Sequence, residues 1–324
     1  TGGLLGARFR GKRITSKHCP LGFTEMPADF INAYVLGTLG STGAGVGACA
    51  TLLYNLRQGM DDIRAGRSRV AVIGSSEAPI LPEVIEGYLA MGALATDPEL
   101  RALDNSDDTD HRRACRPFGE NCGFTIAEGA QFLVLMDDEL ALELGCMVYG
   151  SVADVFVNAD GPKKSISAPG VGNYLTVART TAALRSIIGD EALARRTLVQ
   201  AHGTGTPQNR VTESQIFDTV AERFGIDAWP VTAIKAYVGH TLGAAAGDQI
   251  AASLGIWEYG WVPGIQTIEA LAEDVHRAHL DFLLEHRETG RDALDAVLVN
   301  AKGFGGNNAT AALLSPGLTI KLLR

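Results

Sequence analysis

A chain of 324 residues with 46% apolar and 20% charged residues is long enough for one large or two medium domains with a real core. Its net charge of −9 excludes a nucleic-acid binder relying on a general basic surface, while leaving room for a local basic patch facing an acidic protein partner. No stretch approaches ~18 consecutive apolar residues, and the five cysteines (Cys19, Cys49, Cys115, Cys122, Cys146) are odd in number and lack CxxC spacing, which points to a reduced, cytosolic protein rather than a disulfide scaffold or zinc site.

In chain order, the first predicted helix is Cys49–Arg64, where Leu52, Leu53, Leu56, Met60 and Ile63 share one face at three- and four-residue spacing. Strands are predicted at Arg69–Gly74 and Gln131–Met136, with the polar Asp104–Arg113 segment between them read as a surface loop. A charged helical stretch ends at Gly145, and the pattern predicts a seam there between two halves, 1–145 and 146–324. Beyond it come strands over Met147–Phe156, Thr197–Ala201, Val231–Lys235 and Ala296–Ala301, and helices over Val177–Ile188, Thr212–Phe224 and His240–Trp257. Short Val- and Ile-rich runs are the signature of strands buried on both faces. Their alternation with helices predicts α/β layers, sheets sandwiched by helices.

Three small-residue clusters each surround one reactive side chain. Gly45–Thr51 (GVGACAT) places Cys49 at a helix start, where the dipole and free backbone N–H groups favour thiolate and predict a lowered pKa. A lone cysteine there also serves as a small packing residue; the nearby Gly43, Gly45 and Gly47 lack the strand–turn–helix setting of a dinucleotide fingerprint. Ala201–Pro207 (AHGTGTP) puts His202 at the end of a buried strand, facing a cleft or held as a structural histidine. In Lys235–Gly247 (KAYVGHTLGAAAG), His240 is expected to open a helix whose N-terminus keeps its imidazole neutral. A fourth segment, Asn300–Asn308 (NAKGFGGNN), follows the last apolar strand, with glycines that let backbone N–H groups turn toward a ligand.

In this order the four segments resemble the β-ketoacyl synthases of the thiolase fold, over about Ile31 to Leu314. The His-His pair resembles the elongating branch, and Val46–Thr51 with Ser165–Arg179 looks closest to ketosynthases of fatty-acid megasynthases. The resemblance implies a five-layer αβαβα fold and a homodimer acting on acyl carrier protein, without metal or redox cofactor. Its implied function is decarboxylative condensation of a Cys-bound acyl group with malonyl-carrier, in fatty-acid or polyketide synthesis. By position, Cys49 is the nucleophile, His202 and His240 stabilise the enolate, and the N–H groups of Cys49 and Phe304 form the oxyanion hole. Phe304 is also the gate, and Thr204 and Thr206 bind pantetheine. Lys235 pairs with a buried glutamate, Glu213, and holds the second histidine in place.

Several positions depart from the family pattern: Asn209-Arg210 where Gly-Asp is usual, Gly119–Cys122 in a normally charged stretch, Lys302 in place of an apolar aromatic, and Gly92 in place of a carrier-docking base. Only 48 residues precede Cys49, so the first strands of the N-terminal half are expected to be missing and the chain to be a piece of a longer one, aggregation-prone on its own. Two rivals are a non-catalytic partner that binds the carrier or sets chain length, which usually lacks the cysteine, and a thiolase-type acetyltransferase, which His202 and His240 disfavour. His276 and His279 have helical ligand spacing but fall in a polar loop, and Asp104–Asp110 lacks the glycine and glutamate of a calcium loop. Trp229, Trp257 and Trp261 read as core or interface residues.

Overall fold

The computed structural model describes residues 4–16, 18, 22–163 and 169–323. Cys19 and the Ser165–Ala168 part of the megasynthase-like stretch lie outside the described residues. Two compact units divide at Val46/Gly47. The smaller holds α1 (Leu4–Phe9) and α2 (Met26–Ile31), which runs into a π-helical turn over Asn32–Leu36. Gly37 ends that turn at φ 61°, and the Asn32 amide bonds both the N–H and the carbonyl of Thr38.

The larger unit carries the rest: α3 (Thr51–Arg64), β1 (Val70–Glu77), α4 (Pro82–Ala90), α5 (Asp97–Asp104), β2 (Gly129–Met136), α6 (Asp138–Glu143), β3 (Ser151–Ala159), α7 (Gly172–Arg195) and β4 (Thr197–Gln200). Then follow α8 (Pro207–Phe224), β5 (Trp229–Thr232), α9 (Lys235–Val238), α10 (Ala245–Tyr259), β6 (Trp261–Val262), β7 (Leu280–Phe282), β8 (Arg287–Glu288), β9 (Ala296–Gly303), β10 (Asn307–Leu314) and α11 (Pro316–Leu322). The expected seam at 145/146 falls between α6 and β3, inside this unit.

Six strands form one sheet in the order β3-β10-β9-β4-β5-β7, and β1 pairs antiparallel with β2, Val70 opposite Met136. On one face of the large sheet, Val199 and Leu298 meet Val177 and Leu184 of α7 and Ile216, Phe217 and Val220 of α8. On the other, Val155, Leu198, Val297 and Val299 meet Leu52, Leu53 and Leu56 of α3 and Ile250 of α10. All of these side chains are buried, each contributing about 1.5–3 kcal/mol by leaving water. α3 and α10 also pack on the inner face of β1–β2. The layers are therefore helices, six-stranded sheet, helices, two-stranded sheet, which are four of the five layers of the expected thiolase-like order. The N-terminal sheet has two strands in this unit, and its outer face leaves Val70, Val72, Phe132 and Val134 exposed.

Several local expectations change, and the strand expected from Met147 starts at Ser151. The helix expected from Cys49 starts at Thr51. The strand expected to run to Lys235 stops at Thr232, because Lys235 opens α9. His240 opens no helix: its N–H donates to the Thr125 carbonyl (2.7 Å) and its carbonyl accepts from Ala127 N–H (3.0 Å), an extended bridge that holds it five residues ahead of α10. Trp229 and Trp257 are buried, their indole N–H groups donating to Thr197 Oγ1 (2.8 Å) and the Leu294 carbonyl (2.9 Å), while Trp261 is partly exposed. Among the described residues, no helix is long and apolar enough to cross a membrane.

Candidate active site

Cys49 sits in the turn before α3 and is 5% exposed. Ala48 takes φ 49°, a left-handed conformation that strains a non-glycine residue and that the surroundings must enforce. Thr51 does so from the first position of the helix: its hydroxyl donates to the Ala48 carbonyl (2.7 Å) and accepts from Gly47 N–H (3.0 Å). The end of β9 closes over this turn. A Cβ on Gly303 would lie 2.4 Å from the Gly47 carbonyl oxygen, so only glycine permits the approach. The approach brings the N–H of Phe304, along with that of Cys49 itself, within hydrogen-bonding reach of the sulfur. Two converging N–H groups at a nucleophile are the geometry of an oxyanion hole.

The sequence argument for a lowered thiol pKa is overturned. Burial pushes the Cys49 thiol up to about 11, and nearby Glu77 adds to the rise; Lys235 and the two N–H groups offset only part. The thiolate fraction at pH 7 is then roughly 10⁻⁴. Because the thiolate is the reactive form, alkylation of Cys49 should accelerate with pH, about tenfold per unit from pH 7 to 10. Iodoacetamide labelling read by peptide mass gives the profile, and a plateau below pH 8 would refute the buried-thiol picture.

His202 follows β4 and is 3% exposed; His240 is 1% exposed. Their rings stand perpendicular with centroids 5.3 Å apart, and Phe124 packs edge-on against His240. Burial, then the Lys235 ammonium, holds both imidazoles well below the ordinary histidine pKa, so both are neutral at pH 7. The expected cause, a helix N-terminus at His240, is replaced by burial. The tautomers follow from the hydrogen bonds. Nδ1 of His240 accepts the Leu242 N–H (3.3 Å), and Nδ1 of His202 faces the Lys235 ammonium at 3.5 Å. Both Nδ1 atoms act as acceptors, which leaves each Nε2 carrying the proton as a donor.

Lys235 and Glu213 are both buried and attract each other electrostatically, without a direct ion-pair contact among the described residues. Lys235 donates to the backbone carbonyl of His202 (2.6 Å), so it fixes the first histidine rather than the second. Glu213 instead accepts four N–H donors: His202 (2.7 Å), Gly203 (2.8 Å), Asn209 Nδ2 (2.8 Å) and Asn300 Nδ2 (2.7 Å). Its carboxylate shapes the histidine loop, and Asn209, a departure from the family pattern, is one of its anchors. The Thr204 and Thr206 hydroxyls lie 3.0 Å apart at the start of α8.

Ala93, Leu94, Phe124 and Leu242 enclose Cys49 in an apolar shell, with Tyr88 between Phe124 and Phe304 at ring distances of 5.3 and 6.4 Å. Phe304 is 40% exposed. Glu77, Tyr88 and Asn300 are site residues that the sequence motifs do not single out. An acidic residue closing the apolar strand at Glu77, and an asparagine inside the run AVLVNA, were the available signals. His276 and His279 do not come together as a metal site: His279 faces Asp218 at 3.3 Å, and among the described residues no three potential ligands cluster.

The β-ketoacyl synthase N-terminal-domain profile matches residues 23–141, and the C-terminal-domain profile matches residues 149–269. The β-ketoacyl-[acyl-carrier-protein] synthase FabY of Pseudomonas aeruginosa is 57% identical over the whole chain, which covers 51% of that protein. The crystal structure of that ketosynthase superposes with a TM-score of 0.97 over 100% of this chain and 50% of its own. The chain thus spans about half the length of these relatives. A fatty acid synthase alpha subunit of Emericella nidulans is 29% identical over 91% of this chain and 19% of its own, so the likeness to megasynthases is the weaker one. The type II polyketide complex AntDE:AntF, a ketosynthase with its acyl-carrier protein, shares the fold at a TM-score of 0.79 and 23% identity, over 95% of this chain and 72% of its own. With both halves of one family matched and their motifs converging on Cys49, the chain belongs to the β-ketoacyl synthases.

Proposed function

We propose that this chain carries the condensing chemistry of a 3-oxoacyl-[acyl-carrier-protein] synthase. In the first step the Cys49 sulfur attacks an acyl thioester, the carbon–sulfur bond to pantetheine breaks, and the thiol proton leaves on the pantetheine sulfur. The N–H groups of Cys49 and Phe304 hold the oxyanion of the tetrahedral intermediate. In the second, a malonyl thioester loses carbon dioxide, and the Nε2–H groups of His202 and His240 receive the charge on the enolate oxygen. The enolate carbon attacks the Cys49 thioester and expels the Cys49 sulfur, giving the 3-oxoacyl product. Lys235 and Glu213 position His202, and Thr204 and Thr206 receive the pantetheine arm. Acyl carrier protein as partner, a cytoplasmic homodimer, and halves 1–145 and 146–324 complete the proposal.

The observation that carries it is one thiol under two N–H groups beside two neutral, Nε2-protonated histidines. The rival of a non-catalytic partner has no use for such a thiol. The experiment is sequential: acyl-carrier first, then malonyl-carrier, each step followed by mass spectrometry. An acyl mass on the Cys49 peptide and then a 3-oxoacyl-carrier are expected; a chain that binds carrier but never acquires the acyl mass would make the rival correct.

A further inference from the structure

One half-buried cation beside the site takes no part in these steps. Lys302 precedes Gly303 at the end of β9, two residues before Phe304. Its ammonium reaches α8 and donates to Thr212 Oγ1 (3.0 Å), next to Glu213; the Thr212 hydroxyl in turn donates to the Gln208 carbonyl (3.0 Å). Glu213 and Asp160 face it electrostatically, and its charge bears on His202.

The turn after Lys302 is held at its other end as well. Asp160 accepts from Lys163 (3.2 Å), Gly172 N–H (3.2 Å) and Asn308 Nδ2 (2.8 Å), and a Cβ on Gly306 would lie within 3.0 Å of both the Asp160 carboxylate and the Lys163 ammonium. Gly303 is pressed against Gly47 and Cys49. The Lys302–Thr212 bond ties the start of this turn to α8, beyond the Asn300–Glu213 link two residues earlier on β9, and α8 is the helix whose Glu213 fixes the His202 and Gly203 amides. An apolar side chain at 302 fills the same space but supplies neither the tether nor the charge.

We propose that Lys302 is a positioning residue: by bracing the end of β9 to Thr212 it sets the Phe304 N–H over Cys49 in one frame with His202. This rests on the proposed condensation. Displacing a donor by a fraction of an ångström is enough to lower turnover without weakening substrate binding. The cation acts as well. With Lys235 and His240 it opposes protonation of His202, while the Glu213 carboxylate accepts the His202 backbone N–H (2.7 Å). Activity needs neutral His202 and is lost as pH falls through its pKa; removing a cation raises that pKa, so the acid limb moves to higher pH.

The test compares the parent chain with Lys302→Met, Lys302→Arg and Thr212→Val by kcat, KM for malonyl-carrier, the pH profile, and amide exchange over 303–307. Lys302→Met should lower kcat on the order of 10-fold with KM within about twofold, shift the acid limb upward and speed exchange of the turn. Thr212→Val should lower kcat and speed exchange with the limb unmoved, because the charge remains. Lys302→Arg should restore most of both. Parent kcat and parent exchange in Lys302→Met overturn the brace. If the parent itself fails to condense, the functional reading falls, and unchanged exchange in Lys302→Met and Thr212→Val still refutes the brace by itself.

Discussion

Cys49→Ala should abolish acyl transfer, a loss on the order of 10⁴-fold or more, while alanine at Cys115, Cys122 or Cys146 leaves it within a factor of about two. Cys115 is the informative comparison, since it is a second buried thiol pushed up to about 11 by burial. Burial alone therefore does not mark the nucleophile. Surroundings do: the Cys115 sulfur points at the Thr204 carbonyl oxygen (3.9 Å), an acceptor that stabilises no oxyanion. Cys49 alone among the described cysteines has two N–H donors converging on it. Intact-mass and peptide-mass measurement after exposure to acyl-carrier decides the matter, and an acyl group found on Cys115 would overturn the assignment.

His202→Ala and His240→Ala should each slow malonyl decarboxylation about 10²–10³-fold, the usual cost of one oxyanion donor. Acylation of Cys49 should change far less, because its oxyanion is held by backbone N–H groups that neither substitution removes. The two effects should combine less than additively, since both donors serve one developing charge. Both imidazoles are held neutral, so the parent should keep decarboxylating below pH 6.5 and lose activity only as the rings protonate. Release of labelled carbon dioxide measures this step alone. Parent-rate release in either variant would make that histidine structural.

The site was more legible than the fold around it, and for a physical reason. Reactive residues flanked by glycines leave local signatures, and Cys49, His202, His240 and Phe304 do come together. What burial does to them is a tertiary property. The sequence shows a helix start beside Cys49 but not the shell of Leu94, Phe124 and Leu242 that raises its pKa. It shows Lys235 and Glu213 but not that Glu213 is occupied by four N–H donors. β10 was missed because NNATAALL carries one β-branched residue; it is a strand because β3 and β9 pair with it on both sides. The small residues after His240 imitate a helix start, whereas its bridge partner Ile126 lies more than a hundred residues away in sequence.

Burial of Cys49 bears on both halves of the proposed cycle. It makes loading slow, because little thiolate is present to attack. After the carbon–carbon bond forms, the sulfur departs as an anion into a place where its conjugate acid holds a proton up to about 11. At neutral pH it is quenched to the thiol by roughly 10⁴ to one, and a thiol is a poor attacker of the new ketone. Retro-cleavage, in which the same sulfur would attack the new ketone, is thereby slowed by the same factor as loading. The same dry shell that delays the start of a turnover slows its reversal equally, and the departing carbon dioxide gives the cycle its direction.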